Sequence, residues 1–347
     1  MKITFLTPTL EIHGGNIVML NHAAFLSERG HDVTIITTDK LIQLPVPPKV
    51  KVIQYKKILP KYLDFFTFQL PYLNKVKILT EECDYIIPIY APLILHAIHA
   101  KKSKNLHAKI VPFFQDSLVT LWVGPYIRML LKSRYVRENI DKAVAVSRPG
   151  AEGFAHLTGR KALFVPLGVE TDTFYQRNLK KEKYILFVGR PNKPKGFGIF
   201  KKVYVELSKS NLGLKAVVVG PGLFTREEDG IRYIKYEDRS QLAKIFSKAS
   251  VYISTSYAES FPMPPLEAMA CGTATVVTNT GGEKEYAIDN FNCFIRPVGD
   301  WKAIAEAANL ILKDKKIESR FIREGLATAS RYSWKESNEK LMKYLEY

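Results

Sequence analysis

Two acidic side chains in the stretch YAESFPMPPLEAMACG, residues 257–272, stand eight positions apart. Between them lie Pro262, Pro264 and Pro265, a density that no helix interior holds, because each proline lacks an N–H and clashes with the preceding turn. Glu259 is therefore expected in a loop. Proline is accommodated in a first helical turn, so Pro264 or Pro265 is expected to open a helix that carries Glu267. A carboxylate accepts two hydrogen bonds and suits a vicinal diol, as in a ribose or a hexose; two at this separation can hold two diols of one extended molecule. Backbone N–H groups from Ser260 through Phe261 and Met263 add donors for phosphate or sugar oxygens, while Pro262 adds none. Complementing a helix dipole would explain Glu267 but not Glu259.

Three other clusters fall after expected strands. VGRPNKPKG, residues 188–196, offers Arg190, whose guanidinium can fork across two oxygens, and Lys195, a point charge. Two cations at a strand's end suit a diphosphate; a solvated basic loop shaped by prolines is the alternative. His13-Gly14-Gly15-Asn16 pairs two glycines, which let a backbone approach a ligand, with a helix N-terminus that offers free N–H groups to an anion. It is not a GxGxxG fingerprint. TNTGGEKEY, residues 278–286, reads as a glycine turn entering a helix with acidic residues in its first turn.

Short β-branched and aromatic runs alternating with helices must position these clusters. In the first half the expected strands are 3–7, 33–37, 50–55, 84–90, 109–114, 142–147 and 162–166, with a first helix over 16–28 that Gly30 terminates. After a charged stretch over 177–183, read as a linker, the alternation restarts. Strands are expected at 184–189, 214–220, 231–236, 251–255, 273–278 and 292–296, and helices at 197–209, 239–248, 301–313, 316–329 and 334–345. The pattern describes two Rossmann-like α/β halves, in which ligands sit beyond the carboxyl ends of the strands. The expected domains are 1–176 and 177–330, with 331–347 as a closing helix packing back towards the first.

The 347 residues suffice for two cores. Fifty-one basic and thirty-four acidic residues give +17, spread over both halves, which favours anionic partners such as nucleotide diphosphates or anionic lipid. Cys83, Cys271 and Cys293 show no metal spacing and fit a reducing compartment. The first apolar run is too short for a secretory signal, and the longest uncharged stretch, 85–100, is too short and broken for a membrane span. A cytoplasmic protein, peripheral on the inner face of a membrane, is expected. The segments over 61–73 and 121–137 mix aromatics with lysine and arginine and fit an anionic membrane surface, or else a core helix with a wet basic face.

Together these clusters resemble the family-four glycosyltransferases, retaining enzymes of the GT-B fold, over nearly the whole chain. The resemblance rests on Gly14-Gly15, RGHDV (29–33), PLGVETDTF (166–174), Arg190 with Lys195, Glu259 with Glu267 and EAMACG, and Gly281, Gly282 and Glu285. It implies two Rossmann-like, doubly wound domains facing a central cleft. It also implies a nucleoside-diphosphate sugar as donor and, as acceptor, a glycan, a lipid-linked glycan or a glycolipid. By that resemblance Glu259 lies at the donor sugar, Glu267 holds the ribose, Arg190 and Lys195 neutralise the diphosphate, and backbone near Tyr236 reads the base. Gln115 stands where many members have histidine, and Pro262 where glycine is common; FFQD, PPLE and VVTN are similar to a rhamnosyltransferase-like subgroup. The expected catalytic residues are Arg190, Lys195 and Glu259. Donor binding is expected from Gly14, Gly15, Gln115, Tyr236, Ser260, Phe261, Pro262, Met263 and Glu267. No metal, no cofactor and no nucleic-acid partner is expected. A GT-B sugar-nucleotide epimerase and a basic nucleic-acid-binding protein remain as alternatives.

Overall fold

A computed structural model describes residues 1–11, 14–38, 44–56, 72–115, 124–220 and 223–347. The chain divides into two compact units, one of Met1–Pro166 with Lys335–Tyr347, the other of Leu167–Trp334.

The first unit follows the order β1 (Lys2–Leu6), α1 (Gly14–Glu28), β2 (Asp32–Thr38), β3 (Lys51–Tyr55), α2 (Leu73–Leu79), β4 (Tyr85–Pro88), α3 (Leu93–Lys104), β5 (Lys109–Ile110), β6 (Phe113–Phe114), α4 (Gly124–Lys132), α5 (Arg134–Asn139), β7 (Val144–Ala145), α6 (Arg148–Thr158) and β8 (Leu163–Phe164). A five-stranded parallel sheet has the order β3-β2-β1-β4-β5, and a second parallel sheet the order β6-β7-β8. The run expected as one strand over 109–114 is thus two. Pro112 sits at the break, where its missing N–H cannot join a ladder, while its carbonyl accepts from Val144 N–H at 2.9 Å. Ile86, Ile94, Ile98, Ile110, Phe114 and Phe154 pack in one core.

The second unit runs β9 (Glu182–Val188), α7 (Phe197–Ser210), β10 (Lys215–Val219), β11 (Arg226–Glu228), β12 (Ile231–Ile234), α8 (Arg239–Lys248), β13 (Ala249–Ile253), α9 (Met263–Ala270), β14 (Thr275–Thr278), β15 (Phe294–Arg296), α10 (Trp301–Lys313) and α11 (Lys315–Ala329). The seven-stranded sheet has the order β11-β12-β10-β9-β13-β14-β15, parallel except where β11 pairs with β12. Strands β10, β13 and β14 are buried over nearly their whole length and β9 from Tyr184 to Phe187, as parallel strands covered on both faces must be. Helix α12 (Trp334–Glu346) closes the chain.

Three boundaries differ from expectation. The units divide after Pro166, not after 176, because the intervening segment bonds into the second unit: Val169 N–H to Tyr332 O at 2.8 Å, Glu170 to Arg239, and the Phe174 ring edge-on to Phe246. The charged stretch over 177–183 is not a free linker. The Lys181 amino group donates to Gly272 O and to Thr273 Oγ1, both at 2.8 Å, and β9 has begun by Glu182. After Gly281 the chain makes only a 3-10 turn, Gly282–Glu285. Of the basic aromatic segments, 61–71 and 121–123 lie outside the described residues.

Candidate functional site

Parallel strands send their loops out at the same edge, so those after β9, β12, β13 and β14 leave the second unit's sheet together. Short contacts stitch three of them. Thr255 Oγ1 donates to Lys195 O and Gly196 O at 3.1 and 2.9 Å, Tyr257 N–H to Pro194 O at 3.0 Å, and Thr278 Oγ1 to Ser256 O at 2.7 Å. Two glycines make the approach possible. A Cβ on Gly196, whose φ is +67°, would lie 1.9 Å from Thr255 O; one on Gly282 would lie 2.2 Å from Ser260 O and 2.6 Å from Glu259 O.

Lys195 and Glu259 meet in this knot. The Lys195 ammonium lies 2.6 Å from Glu259 Oε1, and the Ser256 hydroxyl donates to the same oxygen at 2.7 Å. Glu259 sits on the loop after β13, only 18% exposed in its side chain, with Oε2 unengaged among the described residues. Arg190 is exposed just beyond β9 and has no ion-pair partner among the described residues.

Glu267 lies on α9, which starts at Met263 with Pro264 and Pro265 in its first turn, as proline's fixed φ allows. Its carboxylate is buried, and Oε1 accepts from Arg239 Nη2 at 2.7 Å. Arg239 Nε donates to Glu170 Oε2 at 2.9 Å, and the guanidinium lies 4.7 Å from the Phe174 ring centre. Burial pushes the Glu267 carboxyl up, against the opposing pull of Arg239. Burial acts to lower the Arg239 pKa, but Glu267 and Glu170 outweigh it and raise the value. The buried Tyr252 phenol is raised first by burial and then by Glu259 and Glu267, against a hydrogen bond with Ser254, so one side chain feels both carboxylates.

The remaining expected residues of this unit surround that frame. Tyr236 follows β12, half-buried, its phenol raised by burial and then by Glu267. Ser260 is buried, with an Oγ that has no partner among the described residues. Phe261 packs on Tyr286 and Tyr332 with ring centres 5.5 and 6.0 Å apart, and Pro262 O accepts from the Tyr286 hydroxyl at 2.5 Å. In the glycine turn the buried acid is Glu283, whose Oε2 accepts from Thr280 N–H at 3.0 Å and Thr280 Oγ1 at 2.5 Å.

The first unit places its own candidates after β1 and β6. Gly14 and Gly15 open α1, and a Cβ on Gly14 would meet nothing within 4 Å. Buried Asn16 anchors that loop, accepting from Thr7 Oγ1 at 3.0 Å and donating to Glu11 O at 2.9 Å; His13 lies outside the described residues. Gln115 follows β6, with both amide heteroatoms shielded and without partners among the described residues. A separate cavity of about 810 Å³, lined by Lys2, Asp32, Asp84 and Lys109, opens at the amino ends of β1 and β4, away from Gly14 and Gln115. Among the described residues no three His, Cys, Asp or Glu side chains gather as a metal group, and all three cysteines are buried and free.

Sequence reasoning missed Ser256, Tyr252 and above all Arg239. One signal was present: a cation directly after the capping Asp238, at the positive end of a helix dipole, where it is disfavoured unless something else holds it.

Residues 169–328 match the family described as Glycosyl transferases group 1. Phosphatidyl-myo-inositol mannosyltransferase of Mycolicibacterium smegmatis is 24% identical over 375 aligned positions, covering 100% of this chain and 94% of that one. D-inositol 3-phosphate glycosyltransferase of Segniliparus rotundus is 28% identical over 178 positions, 46% of this chain and 39% of that one. Among solved structures, Anabaena HepE in complex with UDP-glucose superposes with a TM-score of 0.81 at 17% identity, covering 100% of this chain and 99% of that one. Sucrose-phosphate synthase from Thermosynechococcus elongatus gives 0.82 at 18%, covering 99% and 98%. The fold shared with these is GT-B.

Proposed function

We propose, from the premise that residues 169–328 belong to the group 1 glycosyl transferases and that the chain is a glycosyltransferase, a retaining, metal-independent transfer from a nucleoside-diphosphate sugar to an acceptor hydroxyl. The observation that carries the reading is the stitched edge of the second unit, where Arg190, Lys195 and Glu259 leave neighbouring strands and Lys195 and Glu259 touch at 2.6 Å. Arg190 forks across oxygens of the diphosphate and Lys195 supplies a point charge, both set against charge that grows as the bond from the sugar's anomeric carbon to phosphate breaks. Glu259 accepts from sugar hydroxyls through its open oxygen, and Glu267 does the same for the ribose. Among the described residues of these clusters no carboxylate is assigned as a covalent nucleophile, so the acceptor oxygen bonds to the anomeric carbon on the face the diphosphate leaves. Its proton passes to the departing phosphate oxygen.

Losing one preorganised electrostatic donor costs about 3–4 kcal/mol of transition-state stabilisation, so Arg190→Ala and Lys195→Ala should each lower turnover by about 10²–10³-fold. Near-normal turnover in both would remove the assignment. A thermal-shift screen against UDP, GDP, dTDP and ADP sugars identifies the donor, because binding to the folded state raises Tm. Turnover abolished by a chelator and restored by a divalent ion would overturn metal independence. Conversion of the donor with no acceptor present would favour the epimerase.

For the acceptor we propose a lipid-linked species, in keeping with the phosphatidyl-myo-inositol in the M. smegmatis relative's name. Helices α4 and α5 expose Arg128, Lys132, Arg134 and Arg137, with Glu138 paired to Arg134 at 2.7 Å, beside Met129 and Tyr135, which are 64% and 48% exposed. A basic face carrying two apolar side chains suits an anionic membrane surface. Among the described residues no helix is long and apolar enough to cross a membrane. Flotation with anionic vesicles at low salt should recover the protein; recovery of none would end the membrane reading.

A further inference from the structure

We infer that Arg239 is a positioning residue for nucleoside recognition, clamping one oxygen of Glu267 so that the other meets the ribose as an anion in fixed orientation. This rests on the donor-binding role proposed for Glu267. Glu267 is 3% exposed, and a carboxylate so placed needs a charge partner or a proton. The partner comes from the first residue of α8, where the helix dipole disfavours a cation. What holds it is a chain of contacts: Glu170 Oε2 on Nε at 2.9 Å, Glu267 Oε1 on Nη2 at 2.7 Å, and the Phe174 ring below the guanidinium. Glu170 fixes the guanidinium from the segment before β9, so the clamp is set before any ligand arrives. Only Oε1 of Glu267 is taken; Oε2 has no partner among the described residues.

The groups that face Glu267 are Arg239 at the start of α8, Glu170 ahead of β9, Tyr236 after β12, Tyr252 on β13 and Cys271 at the end of α9. The two phenols are raised by burial, and burial pushes the Cys271 thiol up to about 12, so all three stay neutral between pH 6 and 9. Without Arg239, the pull that opposes burial is gone, and burial together with Glu170 raises the Glu267 carboxyl further.

The experiment measures binding of UDP, GDP, dTDP, ADP and inorganic pyrophosphate by calorimetry from pH 6 to 9, for the full chain and for Arg239→Met. Arg239→Met should weaken the nucleoside diphosphate by about tenfold or more and leave pyrophosphate unchanged. The lost affinity should return as pH rises and Glu267 ionises, and adding Glu267→Gln should abolish that recovery. Pyrophosphate controls for titration of the phosphates themselves. If Arg239→Met does not fold, Arg239→Lys carries the test: it keeps the charge without the fork and should show a smaller loss confined to the nucleoside diphosphate. Equal losses for both ligands, no loss for either, or a loss that does not change with pH would overturn the inference. Wild-type protein that binds pyrophosphate but none of UDP, GDP, dTDP and ADP would instead overturn the donor reading on which it rests.

Discussion

Removing the charge of Glu259 should tighten the binding of a bare nucleoside diphosphate while it slows sugar transfer. In the free protein the Lys195 ammonium is engaged by Glu259 Oε1 at 2.6 Å, so a diphosphate must compete with that carboxylate for the same cation. Exposed ion pairs contribute about 0.2–1 kcal/mol and hydrogen bonds to charged groups about 1.5–3. With side chains 35% and 18% exposed, the Lys195–Glu259 pair lies between these regimes. A coupling of about 1 kcal/mol is reasonable, about a fivefold change in Kd. Glu259→Gln keeps the shape and an oxygen that can still accept from Ser256, but it releases the cation.

Titration calorimetry with UDP or GDP should therefore show Kd falling about fivefold in Glu259→Gln and rising about tenfold or more in Lys195→Ala. In the Lys195→Ala background, Glu259→Gln should change nothing, because the coupling has lost its other member. Turnover of the sugar nucleotide falls in Glu259→Gln, since the hydroxyls lose an anionic acceptor. The reasoning fails if Glu259→Gln weakens the nucleoside diphosphate, or tightens it equally with and without Lys195.

Gly282→Ala places a methyl group 2.2 Å from Ser260 O and 2.6 Å from Glu259 O, so the loop holding Glu259 must shift; a loss of about 1–3 kcal/mol and a lower Tm in calorimetry are expected. An unchanged Tm would mean the loops are not locked as described. His22, fully buried on α1 opposite Asn338, is lowered by burial to about 4 from 6.5. The unfolded chain takes up this proton first, so stability is complete above pH 6.5 and falls by about 1.4 kcal/mol per pH unit, about 3 in all, down to pH 4. Urea midpoints should decline less steeply over that window in His22→Gln; parallel declines would refute it.

The strands were legible because burial on both faces leaves its mark in contiguous residues. ILFV in β9, AVVV in β10 and TVVT in β14 each declare themselves over four positions. Glu259 in a loop and Glu267 on a helix followed from where proline can and cannot stand, a rule acting within one turn of backbone. The unit boundary was misplaced for the complementary reason. Nothing in residues 167–176 or in the run of charges after them shows that Val169 pairs with Tyr332, or that Lys181 reaches Gly272. Such partners lie too far off in sequence for periodicity or propensity to reach.

The same limit separates the two glutamates. The cation partner of Glu259 comes from the adjacent loop, so a basic loop after one strand and an acid after a neighbouring one foretell their meeting. The partner of Glu267 lies 28 residues earlier and is itself fixed by Glu170, 69 residues before that. No spacing rule joins three such positions. What the sequence did hold was a local inconsistency: an arginine at the start of a helix already capped by Asp238, where propensity alone would place an acid or a neutral residue. Arg239 opposes its own helix dipole, and two carboxylates hold it there, the buried Glu267 and Glu170. Local rules broken without local compensation therefore point to a distant partner, and often to a site.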